Sequence, residues 1–570
     1  MPLESRRIDA VLLIGAAVVV LEFKGRSSPT DPDIDQAHAY ARDLPCYHAS
    51  CHNKPVAPVL VPTCGPRVKT EIRGVFVRGS EVLPQLLLAQ AHAITLEEFL
   101  AADAYRPLPT LVEAARELFQ TGDLRRVHRA AAVTDRAVAA IEEIIRQAAS
   151  TKTRRLVLLK GVPGSGKTLV GLRVVHASML DELAEAREGR KRAPIAVFLS
   201  GNGPLVEVLQ YELRGAGGGG KTFVRGVKDY VKQYEGPDAP VPPEHVLVFD
   251  EARRAYDAAM VAEKHGLPVG HRAAKSEPEH FVEFANRVPG WCVIVCLVGH
   301  GQEINRGEEG GLRLWADAIR SGPSRCVWTV HGPPDVAEAF GNLSFEQTPV
   351  LSLDHSLRSH LAADLHHFVA GILNRSPVLA DVLAKLAANL ALQGYDLLIT
   401  RDLDLAKRYL RDRYAEDADA RFGILASSRD QALKAFGVDN GGLKQAGFHG
   451  PWYGDPEGMP SRRSCRDLVS CETEFGAQGL ELDAVLLARG TDFLVDERVQ
   501  WCNARMKKYG SASVPIADPW QLRANAYRVL LTRARDATVV FVPPLPELDA
   551  TFKRLRDVGF RNLTAQNDAQ

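Results

Sequence analysis

The sequence predicts an α/β protein of three or four domains, and three observations carry that expectation. Short apolar runs that read as buried strands recur at Leu156–Leu159, in Ala196–Leu205, where the strand leads into a glycine-rich, helix-capping turn, at Val246–Glu251 with its closing carboxylates, and at Cys292–Val298. Helical patterns accompany them, most clearly Arg125–Gln147, which is long, charged and rich in alanine. The chain of 570 residues has room for about three or four domains of ordinary size.

Composition narrows the class. An apolar share of 46% and a charged share of 25% are those of ordinary globular protein. Lys plus Arg and Asp plus Glu both number 70, so a nucleic-acid partner must be met by a local groove and not by bulk charge. Nine unevenly spaced cysteines make no disulfide framework and suit a reducing cytoplasm. No apolar run approaches a membrane span. Arg6-Arg7 before Ile8–Leu21 looks like a signal peptide, but Asp9 interrupts the run and Glu22 and Lys24 close it. A β-hairpin, Ile8–Ile14 turning at Gly15-Ala16 into Val18–Lys24, is the better reading.

The stretch Arg155–Thr168 organises the rest. A buried strand leads into Gly161-Val-Pro-Gly164-Ser165-Gly166-Lys167-Thr168, the spacing G-x-x-x-x-G-K-T. The glycines let consecutive N–H groups turn inward onto phosphate oxygens, and the helix opening at Lys167 adds partial positive charge there. Lys167 reaches the β- and γ-phosphates, and the Thr168 hydroxyl takes a place on Mg²⁺. Downstream, Val246–Phe249 ends in Asp250-Glu251. Asp250 is expected to hold Mg²⁺ through water, and Glu251 to polarise the attacking water. After Cys292–Val298, Gln302 is placed to sense the γ-phosphate. Arg358 and Arg533 end core elements in a half without its own P-loop. Burying an arginine unpaired is costly, so both are expected to face a triphosphate held by the other half.

Nearer the start, Asp9 is expected on the first strand, and strand alternation puts Glu22 and Lys24 on one side. A helix follows from about Asp33 to Leu44, then strands at Ala57–Val61 and Gly74–Val77. Two carboxylates and a lysine at strand ends can hold Mg²⁺, activate water and steady phosphorane charge. Strand ends also carry charge for no chemical reason, so context decides. Arg7-Ile-Asp9, Val19–Lys24 and Gln36–Leu44 together resemble the PD-(D/E)XK nuclease core. The resemblance implies metal ligation by Asp9 and Glu22, catalytic help from Lys24, and support from Gln36 and Tyr40. Cys46, His48, Cys51, His52 and Cys64 fit no standard zinc spacing and read as ordinary core residues.

The order of motifs from the P-loop to Tyr527–Arg535 resembles superfamily 1 helicases. It is most similar to a bacterial DNA/RNA helicase family whose motor is related to the ATPase region of Schlafen proteins. This implies two RecA-like domains with ATP in the cleft between them. Arg358 and Arg533 are then the trans-cleft arginines, Gln302 the coupling glutamine, and Gln478-Gly-Leu-Glu481 the segment linking nucleotide to strand. Arg253 stands where the family usually has Gln, and it pairs either with the γ-phosphate or with Glu251.

The expected architecture is therefore α/β throughout: a PD-(D/E)XK nuclease-like domain at 1–110, a helical connector at 111–150, RecA-like domains at 151–345 and 346–545, and a tail at 546–570. The expected function is a cytoplasmic ATP- and Mg²⁺-dependent nuclease-helicase on nucleic acid, DNA before RNA. Such a design suits restriction of foreign DNA. The alternative is a nucleotide-gated nucleic-acid-binding switch with an inactive nuclease-like domain. The two chemistries, far apart in sequence, are expected to act independently.

Overall fold

A computed structural model describes residues 6–564 apart from 15–16, 66–68, 80–93, 108, 122–130, 163, 178, 184–193, 217–222, 237, 253–254, 259–260, 262–274, 300–310, 324–325, 354–361, 377, 444–446, 462 and 506–517. Three sheets carry the chain, with a short hairpin besides. The first holds β1 (Ala10–Ile14), β2 (Ala17–Lys24), β3 (Val56–Pro62), β4 (Lys69–Ile72) and β5 (Val75–Arg78) in the order β1-β2-β3-β5-β4. β1 and β2 form the expected antiparallel pair, whereas β2, β3 and β5 run parallel. The helix Asp31–Tyr47 joins β2 to β3. Thr30 caps it in a capping box with Asp33, and a proline sits in its first turn, both of which fix a helix start. Ile34, Ala37 and Leu44 are the apolar side of this helix, and all are buried.

The second sheet holds β6 (Arg154–Gly161), β7 (Ala196–Ser200), β8 (Val224–Gly226), β9 (Val246–Asp250), β10 (Cys292–Val298), β11 (Trp328–Gly332), β12 (Phe345–Gln347) and β13 (Ser352–Leu353). Its order is β12-β11-β6-β10-β9-β7-β8, with β13 also on β6, and every pairing is parallel. Leu156 to Leu159 are fully buried in the middle of it, as an unbroken apolar run in a sheet covered on both faces must be. The expected helical connector packs on the first lobe. Helices Leu111–Thr121 and Ala131–Thr151 both pack on the helix Lys167–Val175. The boundary expected at 345 falls inside β12, and Leu353 still pairs with Gly161. The first lobe therefore runs past it.

The third sheet is built from β14 (Asp396–Thr400), β15 (Phe422–Ala426), β16 (Cys471–Thr473) and β17 (Leu482–Ala488). A hairpin of β18 (Phe493–Val495) and β19 (Trp501–Asn503) follows, then β20 (Ala534–Phe541) and β21 (Arg561–Asn562). The sheet order is β16-β15-β17-β20-β14-β21, again all parallel. The expected tail after 545 is thus no tail, because Arg561 and Asn562 pair with Leu398 and Ile399.

Buried charge fastens the N-terminal sheet to the third. Arg6 donates to Asp43 of its own domain at 2.5 Å, and to Asp417 and Asp536 of the second lobe at 3.2 and 3.0 Å. Arg42 reaches Asp536 at 2.8 Å and the carbonyl of Gly394 at 3.0 Å. Asp35 accepts from Tyr409 at 2.6 Å, where the helix Leu403–Arg413 packs along the helix Asp31–Tyr47. Burial alone would raise the Asp536 carboxyl, but Arg42 and then Arg6 hold it below its ordinary value. Among the described residues, no helix is long and apolar enough to cross a membrane.

Candidate functional site

The phosphate loop closes β6. Gly164 and Gly166 take positive φ, 78° and 84°, the left-handed turn that brings the loop back into a helix. Gly161 is needed for space: a Cβ there would lie 2.3 Å from Ser165 Oγ. Ser165 Oγ is buried without a hydrogen-bond partner. Among the described residues no side chain caps the helix at Gly166, and the first N–H groups of a helix are apt to take an anion. Lys167 Nζ donates to the carbonyls of Gly161 and Val162 at 3.0 and 2.9 Å, spanning the mouth of the loop.

The other expected groups converge here. Thr168 Oγ1 lies 3.4 Å from Asp250 Oδ1, where β9 ends beside β10. Burial, then the charge of Glu251, pushes the Asp250 carboxyl up to about 7, with Lys167 opposing. Glu251 turns back at φ 58°, a conformation that costs a non-glycine residue of order 1 kcal/mol and clusters at functional sites. A Cβ on Gly299, just past β10, would come 3.8 Å from Lys167 Cε and 3.9 Å from Glu251 Oε2. The ends of β6, β9 and β10 thus gather Lys167, Thr168, Asp250 and Glu251. Thr168 and Asp250, side by side, fit a hard divalent cation.

On the other lobe the arrangement is less direct. Arg533 is buried, and its guanidinium donates to the carbonyls of Val529 at 3.0 Å and Leu480 at 3.5 Å, within its own lobe and against the expected coupling segment. That segment meets the first lobe. Asn202 Nδ2 donates to the Gln478 carbonyl at 2.5 Å, while Asn202 Oδ1 caps the helix Gly203–Gly215. Gly479 has φ 79°, and a Cβ there would press on Leu205 at 3.0 Å. The carbonyl of Glu481 accepts from Tyr453 at 3.0 Å. The sequence marked the Gly201–Pro204 turn only as a helix start, and its second task across the lobes was missed. Gln302, Arg358 and Arg253 lie outside the described residues.

At the N-terminal sheet, Asp9 sits just before β1 and not on it. Its Oδ2 accepts from the Phe23 backbone at 2.8 Å, and its own N–H lies 3.4 Å from Glu22 Oε1. Alternation holds as expected: Glu22 and Lys24 are buried, while Phe23 between them is exposed. Burial and then the Asp9 charge raise the Glu22 carboxyl to about 8. Among the described residues its Oε2 is buried with no hydrogen-bond partner, and it stands 3.8 Å from Lys24 Nζ. Gln36 Nε2 donates to Tyr40 at 3.0 Å.

One residue here was invisible in sequence. Glu416, in the turn after the helix Leu403–Arg413, accepts from Lys24 at 2.9 Å and from Gln36 at 3.3 Å. The N-terminal site therefore takes a contact from the second lobe. Among the described residues no three His, Cys, Asp or Glu side chains cluster to hold a metal. Glu22 and Asp9 fit a cation that completes its shell with water and substrate oxygens, the habit of Mg²⁺. Of the histidine–cysteine group, Cys51 is buried and His48 stacks on Phe99 at 4.3 Å.

Residues 154–544 match the family model described as Schlafen group 3, DNA/RNA helicase domain. The chain belongs to this family. The match begins at the first residue of β6 and ends just past β20, taking in the second sheet and all of the third but β21, and leaving the N-terminal sheet outside. Membership makes the chain a helicase-like ATPase. The fold is similar to a chain in the structure of two coordinating Pif1 helicases unwinding forked dsDNA, at 11% identity and TM-score 0.28, covering 73% of this chain and 92% of that one. It is also similar to the DUF1998 helicase MrfA bound to DNA, at 10% identity and TM-score 0.29, covering 77% and 52%. No curated protein matches the chain.

Proposed function

We propose that the chain is an ATP-driven motor on nucleic acid, DNA foremost, that also cuts phosphodiester bonds at a PD-(D/E)XK-like N-terminal site. The observation that carries the motor is the convergence of Lys167, Thr168, Asp250 and Glu251 at adjacent strand ends within the matched span. Lys167, lifted from the Gly161 and Val162 carbonyls, binds the β- and γ-phosphates. Glu251 takes the proton of the attacking water. Arg358 and Arg533 close on the γ-phosphate from the second RecA-like lobe, Gln302 reads its presence, and Gln478–Glu481 passes lobe closure to the strand. Mg²⁺ at Thr168 and Asp250 supplies charge neutralisation for phosphoryl transfer.

At the N-terminal site the orphaned Glu22 oxygen beside Asp9 supports metal ligation, where Mg²⁺ would make a nucleophile of bound water. Lys24 steadies the developing phosphorane charge, and Gln36 and Tyr40 hold the site's shape. A cytoplasmic role in restricting foreign DNA suits this pairing, and nine cysteines without a disulfide are in keeping with it. The second reading, a nucleotide-gated binder with a silent nuclease-like domain, is favoured by Glu416, which already occupies Lys24. Phosphate release and strand cleavage, measured with single- and double-stranded DNA and RNA plus Mg²⁺, with and without ATP, separate the two. Cleavage lost in Glu22→Gln supports the nuclease, and absence of cleavage from the wild type under all conditions supports the binder.

A further inference from the structure

We propose that Glu416 is a built-in stand-in for a nucleic-acid phosphate, a carboxylate from the second lobe that closes the N-terminal site until a phosphodiester displaces it. The inference rests on the nuclease reading above and names the regulation of that site.

The geometry of Glu416 is that of a bound oxyanion. One oxygen takes the Lys24 ammonium at 2.9 Å and the other the Gln36 amide at 3.3 Å. A cation and a neutral amide donor converging on two oxygens of one group is how a phosphate is held. Lys24 lies closer to this carboxylate than to Glu22, whose nearer oxygen is 3.8 Å away. Yet Lys24 is the only cation among the residues expected to act at this site.

Exposure gives the direction of entry. The Glu416 side chain is 47% exposed, against 9% for Lys24 and 0% for Glu22. The carboxylate therefore sits on the solvent side of the lysine, where a polyanion must approach. An entering phosphodiester meets a like charge and competes with it for one ammonium. A half-exposed ion pair yields readily to a better-held competitor, so the block is displaceable.

The contacts of Glu416 are those of an acceptor for donors and not of a metal ligand, because one oxygen takes the Lys24 ammonium and the other the Gln36 amide. Nor is it a stray surface side chain, because both neighbours of its turn are pinned. Asp417 Oδ1 accepts from the Ala420 backbone at 3.1 Å, and its Oδ2 from Arg6 Nε at 3.2 Å. Arg466 holds the Asp417 carbonyl at 2.8 Å. On the other side, the helix before the turn is tied to the N-terminal domain through Tyr409 and Asp35 at 2.6 Å. The same buried network that docks the two domains presents Glu416 to the site.

The test uses the full chain and a short DNA duplex, with affinity read in Ca²⁺ and cleavage read in Mg²⁺. Glu416→Gln keeps an acceptor for Gln36 and removes the charge. It is expected to tighten DNA binding about tenfold, the worth of one charged hydrogen bond, and to raise cleavage by a similar factor. Glu416→Ala should do the same, and the melting temperature of each variant checks its fold. Both gains must vanish when Lys24→Ala is added. Unchanged or weaker binding in Glu416→Gln overturns the proposal. So does a gain that survives Lys24→Ala, or a fall in cleavage. A Lys24-dependent gain in binding with no cleavage from any variant supports the stand-in and overturns the nuclease reading beneath it.

Discussion

At the phosphate loop, Lys167, Thr168, Asp250 and Glu251 hang from neighbouring strand ends of one sheet, β6, β10 and β9. At the N-terminal site, Lys24 and Gln36 close on a carboxylate delivered from another domain. The first site is a local product of its own sheet, and a short motif records it. The second is shared property: β2 and the helix Asp31–Tyr47 supply one side, and the second lobe supplies the other. Function that depends on docking leaves no spacing in the sequence to read.

That contrast can be broken at several points, and the largest effect belongs to the arginines. If Arg533 acts across the cleft, Arg533→Ala lowers turnover by about three orders of magnitude or more while nucleotide affinity changes little. Its present bonds to Val529 and Leu480 allow another outcome. Equal loss in turnover and affinity, with a lower melting temperature, would make it a structural buttress of the Gln478–Glu481 segment. Lys167→Ala comes next. Losing a charged contact in a preorganised site costs about two to three orders of magnitude, with the fold kept, as phosphate release beside a thermal melt will show.

The docking interface gives a smaller effect on a different axis. Arg6 faces buried carboxylates from both domains, so Arg6→Ala leaves them uncompensated and should cost about 3 kcal/mol. Denaturant unfolding measures this, and limited proteolysis around the N-terminal domain should quicken. If Arg6→Ala leaves both unchanged, the second lobe is not what holds the N-terminal site together.

The smallest effect is a pH dependence. Glu22 is raised from 4.5 to about 8 in the folded chain, so folding disfavours its charged form. Stability is then greatest below the unfolded value and falls as pH rises towards about 8. Glu22→Gln removes that loss. Its melting temperature should match the wild type below pH 4.5 and exceed it by a few degrees above pH 8. Mg²⁺ should narrow the gap by stabilising the wild type alone. A difference that does not vary with pH would mean Glu22 is not buried as an acid.

The legible parts share a cause. The β1–β2 hairpin, the helix at Asp31–Tyr47 and the strands β6, β7, β9 and β10 follow from alternation, caps and apolar runs, which are short-range physics. Lys167, Thr168, Asp250 and Glu251 stood out because their spacing is that expected of a phosphate-binding motif, and the structure sets them at adjacent strand ends. The misreadings are all long-range. Arg561–Asn562 looked like tail because pairing with β14 is not encoded beside it. The connector's packing could not be read, because its contacts lie on the helix Lys167–Val175. The contact of Asn202 with Gln478 could not be read, because Gln478 is supplied by the other lobe. Glu416 lies in a charged surface turn that resembles any other.

The central claim is that one chain carries two chemistries, and that the N-terminal one is contacted by the motor's second lobe. The most direct measurement is phosphate release and DNA cleavage recorded side by side for wild type, Lys167→Ala and Glu22→Gln in Mg²⁺. The account predicts that Lys167→Ala loses hydrolysis but still cuts in the absence of ATP, and that Glu22→Gln loses cutting but still hydrolyses ATP. Hydrolysis at the wild-type rate in Lys167→Ala, or cleavage undiminished in Glu22→Gln, would contradict it.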